Sequence, residues 1–91
     1  MLQPKLLKVE PQIEFKLKLF YETGEIKIFD VKPYIALGNW LGRIGREGYF
    51  NTVRVVDDGW TVEWPEGQDI APHELYDLGV TINPVYEMAN K

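Results

Sequence analysis

The feature that most constrains the fold is an Asp-Gly dipeptide between two alternating apolar runs. Asp58-Gly59 separates residues 53–56 from residues 60–64. Asp-Gly readily takes the positive φ angles of a tight turn, and flanking alternation is typical of paired strands. The sequence therefore predicts a β-hairpin over about 52–64, with Gly59 in the left-handed region of backbone space.

The side chains of this hairpin agree with a single register. With Asp58-Gly59 as a two-residue loop, Val55 faces Val62, and Arg54 faces Glu63 on the opposite face. Cross-strand apolar pairs and opposite-charge pairs both stabilise an antiparallel ribbon. Trp64 ends the apolar face, so we expect it to lie in the core.

A second hairpin is predicted over about 13–31. Residues 13–21 alternate between apolar and mostly polar positions, which is the period of a strand. A two-residue loop at Thr23-Gly24 places Leu19 opposite Ile28. A register slipped by one residue puts Lys27 on the core face without a partner, which is unfavourable.

That register leaves three apolar side chains on the face away from the core. They are Phe20, Phe29 and Val31, with Lys16, Lys18 and Lys27 around them. An apolar patch with a charged rim often marks a contact surface. We therefore expect a protein partner or a second copy of the chain to cover it, with homodimerisation favoured. The tail, through Val85 and Tyr86, is the competing cover.

The sequence predicts two short helices. Asn39 precedes a helical pattern at about 40–46 that contains two glycines, and Pro72 suits the first position of a helix at about 72–78. Asp69 lies just before that second helix, where a carboxylate can cap free N–H groups. We predict an α+β fold, an antiparallel sheet of four to five strands in two hairpins with these two helices, as one domain over 1–79 with a tail over 80–91.

Composition narrows the function classes. The chain has 91 residues, 45% of them hydrophobic, and no cysteine, so neither a disulfide framework nor a thiolate metal site is available. The formal net charge of −4 argues weakly against binding nucleic acid. No apolar run is long enough to cross a bilayer or to form a signal peptide, so we expect a cytoplasmic protein without membrane contact.

No catalytic, cofactor or metal signature is present. The acidic region (Asp57, Asp58, Glu63, Glu66, Asp69, Glu74 and Asp77) lacks the alternating ligand spacing of a calcium loop and is typical of turns and solvated charge. His73 has no serine or cysteine anywhere in the chain to activate. A carboxylate-based hydrolase remains a weaker hypothesis, which requires two carboxylates of perturbed pKa in one pocket.

Two further patterns have structural explanations that we favour. Glycines at 42, 45 and 48 with Arg43 and Arg46 match neither phosphate-binding fingerprint and indicate a short fraying helix. The tryptophans and tyrosines could stack bases only beside a basic groove, so they are expected in the core.

The segment from Trp64-Pro65 through Gly67, Asp69-Ile70 and Pro72 to Leu75-Tyr76 resembles the domain of unknown function 2442 family of small bacterial proteins. The upstream strands and turns match in the same order, over roughly residues 4–78. The resemblance implies a small α+β fold without established catalytic residues. Some relatives carry a following helix-turn-helix domain, and some are encoded in arrangements that suggest toxin–antitoxin modules. The leading hypothesis is therefore a non-enzymatic interaction or accessory module, and the alternative is a regulator linked to nucleic acid or a toxin–antitoxin-like module.

Overall fold

Two antiparallel sheets and three short α-helices form the fold in the computed structural model, which describes residues 3–83. The strands are β1 (Leu6–Gln12), β2 (Lys16–Tyr21), β3 (Ile26–Asp30), β4 (Arg54–Val56), β5 (Thr61–Glu63) and β6 (Val80–Thr81), and the helices are α1 (Lys32–Ile35), α2 (Asn39–Gly42) and α3 (Pro72–Leu78). One sheet has the order β1-β2-β3-β6, and β4 pairs only with β5 in the second. The predicted α+β class is confirmed, with the two hairpins in separate sheets.

The register predicted for the first hairpin is wrong by one residue. Leu19 pairs with Lys27, not with Ile28. The loop has three residues instead of two, because the Tyr21 N–H donates to the Glu25 carbonyl at 2.9 Å. Gly24 closes this loop with φ 94°, and a three-residue loop with glycine in the left-handed region is the next commonest hairpin connection.

The shifted register exchanges the two faces of β3. Phe29 and Val31 are buried in the core, while Ile26 and Ile28 lie on the opposite, outer face of the sheet beside Phe20. The predicted apolar patch of Phe20, Phe29 and Val31 therefore does not exist. Phe20 alone lies on the outer face, because a one-residue slip moves every side chain of a strand to the other side.

Lys27 has the partner that the sequence did not reveal. Its side chain is buried, yet its ammonium donates to the Tyr76 carbonyl in the last turn of α3. The Nζ atom also lies 3.9 Å from the centroid of the Tyr76 ring. A cation at a helix C-terminus and over an aromatic face is stabilised on both counts, so the burial of Lys27 is tolerated.

The strand predicted over residues 13–21 begins only at Lys16. Ile13–Phe15 forms a 3-10 turn in which Glu14 and Phe15 have φ angles of 62° and 57°. Ile13 is exposed, although it fits the apolar alternation. β1 reaches β2 through this turn.

The second hairpin has the predicted register. Arg54 pairs with Glu63 and Val55 with Val62. The loop is longer than predicted, because residues 57–60 separate the strands and the Trp60 N–H donates to the Val56 carbonyl at 3.1 Å. Gly59 has φ 91°, as expected, although the turn is not the two-residue type.

The helices are short and only partly as predicted. α3 begins at Pro72 and has the expected bounds, whereas the helix predicted at about 40–46 divides into α2 and a 3-10 turn over Arg43–Gly45. α1 was not predicted. Gly79 follows α3 with extended backbone angles (φ −68°, ψ 142°). None of the helices within residues 3–83 is long and apolar enough to cross a membrane.

The core lies between the inner face of the large sheet and the second hairpin with the helices. Its buried residues are Leu6, Leu17, Leu19, Tyr21, Phe29, Val31, Ile44, Phe50, Val62, Trp64, Ile70 and Leu75. Trp64 is fully buried, and its indole N–H donates to the Phe50 carbonyl at 3.0 Å. A buried indole usually finds such an acceptor, and this one ties the second hairpin to the loop before it.

Candidate functional site

An apolar groove of about 450 Å³ opens at the end of β3, where α1 and α3 come together. Its lining residues are Phe29, Asp30, Pro33, Tyr34, Leu37 and Leu78. Leu37 and Leu78 are 68% and 64% exposed, so two leucines form an open rim. Solvated leucines beside a cavity are a common feature of surfaces that bind another apolar group.

Local sequence chemistry builds the groove. Pro33 stands in the first turn of α1, where its missing N–H costs nothing, and it starts the helix directly after β3. The ring of Tyr34 packs on that of Phe29 with centroids 5.7 Å apart. On the other wall, Leu78 is the last residue of α3, and Gly79 then turns the chain into β6. The groove therefore lies where three elements end together.

Polar groups at the groove are already paired. The Tyr34 hydroxyl donates to the Glu74 carboxylate of α3, and burial together with this bond raises the pKa of Tyr34 to about 12. Burial acts to raise the pKa of Asp30, but the backbone N–H and ammonium of Lys32 outweigh it and hold that pKa below its usual value. The groove thus has an ionised carboxylate at its mouth and a neutral phenol in its wall.

A second polar group lies behind α3. The Tyr76 hydroxyl donates to Glu25 at 2.6 Å, and this bond, with burial, raises the pKa of Tyr76 to about 12. The Tyr76 ring meets Tyr21 edge to face at 5.1 Å. Burial raises the pKa of Tyr21 as well, and its hydroxyl has no hydrogen-bond partner within residues 3–83. These contacts anchor α3, and with it the wall of the groove.

The arginines near the glycines at 42, 45 and 48 bind a carboxylate of the chain itself. Arg43 and Arg46 contact the two carboxylate oxygens of Glu66 at 3.3 and 2.8 Å. The bond from Arg46 is the main cause that lowers the pKa of Glu66. Because both guanidinium groups are engaged, they do not form an open phosphate cradle.

Gln68, which was not predicted, is buried and connects the parts of this region. Its side-chain oxygen accepts from the Tyr49 hydroxyl at 2.8 Å, and its nitrogen donates to the Trp40 carbonyl at 3.1 Å. A single glutamine between Gly67 and Asp69 carries no sequence signal. Its side-chain bonds connect the α2 region to the turn after β5.

The remaining predicted site residues lie away from the groove and have structural roles. Asp69 is exposed and does not cap α3, whose N-cap residue is Ala71. Asp69 instead forms a β-bridge to Glu63, because the chain still runs beside β5 there. Pro72 opens α3 as expected, while Gly59 lies against β1, with Leu6 as its neighbour. None of these residues borders the groove.

The acidic region does not assemble into a metal site. Within residues 3–83, acidic and histidine side chains form no group of three or more that could hold an ion. The single histidine, His73, is exposed in the first turn of α3. The rim residues Leu37 and Leu78 were missed because Leu37 lies in a segment with no predicted element, whereas Leu78 ends the predicted closing helix.

The outer face of the sheet mixes lysines with apolar side chains. The pairing puts Lys8, Lys16, Lys18, Phe20, Ile26, Ile28 and Val80 on this face. The ammonium groups of Lys8 and Lys18 lie 5.3 and 5.5 Å from the centroid of the Phe20 ring. Lys27, predicted to belong to this basic group, points into the core instead.

Comparison with known proteins identifies the family but no characterised relative. The model of a family described as "Protein of unknown function (DUF2442)" matches residues 6–81. The match spans most of the chain, so the chain belongs to this family, as the resemblance predicted. Neither the curated proteins nor the solved structures contain a significant match.

Proposed function

We propose that this member of the DUF2442 family is a non-enzymatic protein-interaction module, and that its groove binds an amphipathic segment of a partner protein. The observation that carries the proposal is the open apolar groove with Leu37 and Leu78 exposed at its rim. Burying one leucine-sized side chain contributes about 1.5–3 kcal/mol, so two or three apolar anchors in such a groove are enough for specific binding.

The charge around the groove supports a basic segment as the occupant. Asp30 lines the groove, and Lys32, whose ammonium lies 3.1 Å from Asp30, offsets part of its charge; Glu74 adds a carboxylate that accepts from Tyr34 in the groove wall. The formal net charge of the chain is −4. A partner with Lys or Arg beside its apolar anchors is therefore attracted, and complementary charge speeds association as well as favouring the right partner.

A displayed library of random peptides, selected against the whole protein, tests this proposal. We expect enrichment of peptides with Leu, Ile or Phe at helical spacing and basic flanks. Their binding should weaken about ten- to a hundredfold in Leu37→Lys and Leu78→Lys, as expected for one lost apolar contact. Leu7→Lys is the matched control, because Leu7 is 69% exposed on β1 and does not line the groove. Equal binding to all three variants, or no enrichment, refutes the proposal.

The alternative, a regulator linked to nucleic acid or a toxin–antitoxin-like module, has one observation in its favour. Lys8 and Lys18 flank Phe20 on the outer face, and an aromatic ring among cations can stack a base. Against it, Glu10 lies 2.8 Å from Lys8 and uses part of that charge. Anisotropy of a labelled single-stranded oligonucleotide separates the two. Binding that falls steeply with salt would favour the alternative, and we expect none.

A further inference from the structure

The two edges of the large sheet differ in how they are protected. Edge strands expose unpaired backbone groups, and folded proteins usually cover them or place charges and prolines on them. The β1 edge has such protection. The hairpin bonds put the backbone of Pro11 on the side away from β2, where proline has no N–H to offer. Gly59 lies against the Leu6 carbonyl, and Lys5 is bonded to Asp58 at 3.1 Å.

Within residues 3–83, the β6 edge carries no charge or proline, and no further strand pairs with it. Its residues Val80-Thr81-Ile82 are all β-branched and uncharged, a composition that favours strand pairing. Val80 and Ile82 are 66% and 52% exposed. A short strand is itself one way of protecting a sheet edge, but uncharged β-branched residues at such an edge favour pairing with another strand.

The hydrogen bonds of β6 define which groups are free. The Ile82 N–H donates to the Ile26 carbonyl at 2.8 Å, so Ile82 directs its backbone towards β3. Because successive residues of a strand alternate in direction, the N–H and C=O of Thr81 point away from the sheet. Within residues 3–83, neither group has a hydrogen-bond partner.

We propose that β6 pairs antiparallel with β6 of a second copy of this chain, which joins two four-stranded sheets into one of eight strands. A two-fold axis beside Thr81 lets each Thr81 N–H donate to the Thr81 carbonyl of the other copy, so the contact is self-complementary. Val80 and Ile82 of both copies then pack together on the outer face. The β1 edge carries Lys5 and Lys8, and these charges disfavour pairing of that edge with its own copy.

Sedimentation equilibrium of the full chain up to millimolar concentration tests the pairing. The parent should form a dimer, and Thr81→Pro should weaken it at least tenfold, because proline removes the outward N–H without touching the bonds to β3. Val80→Lys should act similarly through charge, while Leu7→Lys, an equally exposed leucine on the other edge, should leave the dimer unchanged. Circular dichroism melts establish that each variant is folded.

Hydrogen exchange on the parent gives a second test that needs no variant. The Thr81 amide should exchange more slowly as protein concentration rises, since the second copy supplies its acceptor. A parent that is monomeric throughout, a dimer that Thr81→Pro and Val80→Lys leave intact, or a Thr81 amide whose exchange is independent of concentration would each overturn the proposal.

Discussion

Gly59→Ala should be among the most destabilising single-methyl additions in this chain. Gly59 has φ 91°, and a Cβ built there comes 2.6 Å from the Leu6 carbonyl oxygen of β1. Two separate effects are therefore combined in one substitution. The backbone is in a region that L side chains resist, and the added methyl group meets backbone atoms that cannot move without shifting β1.

Gly48 separates the two effects. It has φ 80°, but a Cβ there has no neighbour within 4 Å. Gly48→Ala should cost only the left-handed conformation, about 1–2 kcal/mol, offset in part by the reduced freedom of the unfolded chain. Gly59→Ala should cost about 1–3 kcal/mol more, which is the usual range for overpacking. Small domains are stable by only about 5–15 kcal/mol, so the difference is large.

Urea unfolding of both variants, followed by tryptophan fluorescence, measures these costs. Each 1 kcal/mol corresponds to about 4–8 °C in Tm for a domain of this size, so thermal melts give an independent check. We expect the Tm of Gly59→Ala to fall well below that of Gly48→Ala. Equal losses in the two variants would show that the turn does not press on β1, and the reasoning from the Leu6 contact would fail.

Three further predictions concern the core and the buried polar groups. Trp64→Ala should lower the free energy of unfolding by about 3–5 kcal/mol in urea titrations, since it removes a fully buried indole and its bond to Phe50; a loss below about 1 kcal/mol would contradict its core role. Lys27→Met keeps an apolar stem but loses the ammonium bonded to Tyr76, so the Tm at neutral pH should fall, and an unchanged Tm would show that the ion contributes nothing. Tyr34 and Tyr76 have pKa values raised to about 12, above the usual value of about 10 for tyrosine, so their contribution to stability should be complete below about pH 10 and lost as pH rises towards 12. Absorbance titration of tyrosinate checks this, and normal titration of both would refute it.

The sequence predicted those elements whose local signals agree with one another. The register of the second hairpin followed from apolar and charged pairs together, and the start of α3 followed from Pro72 at its first position. The length of the loop at Asp58-Gly59 was not predictable in the same way. Asp57 and Asp58 both take φ angles above 50°, so the turn begins earlier than the Asp-Gly signal indicates.

The register prediction for the first hairpin failed because the register that it rejected is stabilised by a contact with a residue far away in the sequence. Placing Lys27 in the core is unfavourable only if nothing receives its ammonium. The carbonyl that receives it belongs to Tyr76, which is 49 residues away in the chain. No pairing rule applied to the hairpin alone can include that contact, because it exists only once α3 has docked on β3.

The groove could not be predicted either, because it forms where the ends of secondary-structure elements meet. Phe29 was assigned to the wrong face, and α1 is a four-residue helix whose Lys-Pro-Tyr-Ile sequence gives no periodic signal. Leu37 and Leu78 had no predicted neighbours. A sequence argument can place residues within an element far more reliably than it can place the ends of three elements side by side.

One shift of register therefore connects the fold to both proposed surfaces. Moving Phe29 inward gives Tyr34 a ring to pack against and so forms the floor of the groove. The same shift turns Ile26 and Ile28 outward, next to Val80 and Ile82, and leaves the β6 edge flanked by apolar side chains instead of lysine. In the register that the sequence favoured, Lys27 would have stood on the outer face beside β6 and protected that edge by its charge. The observed register, which buries Lys27, therefore removes from the outer face a cation that would have opposed strand pairing at the β6 edge.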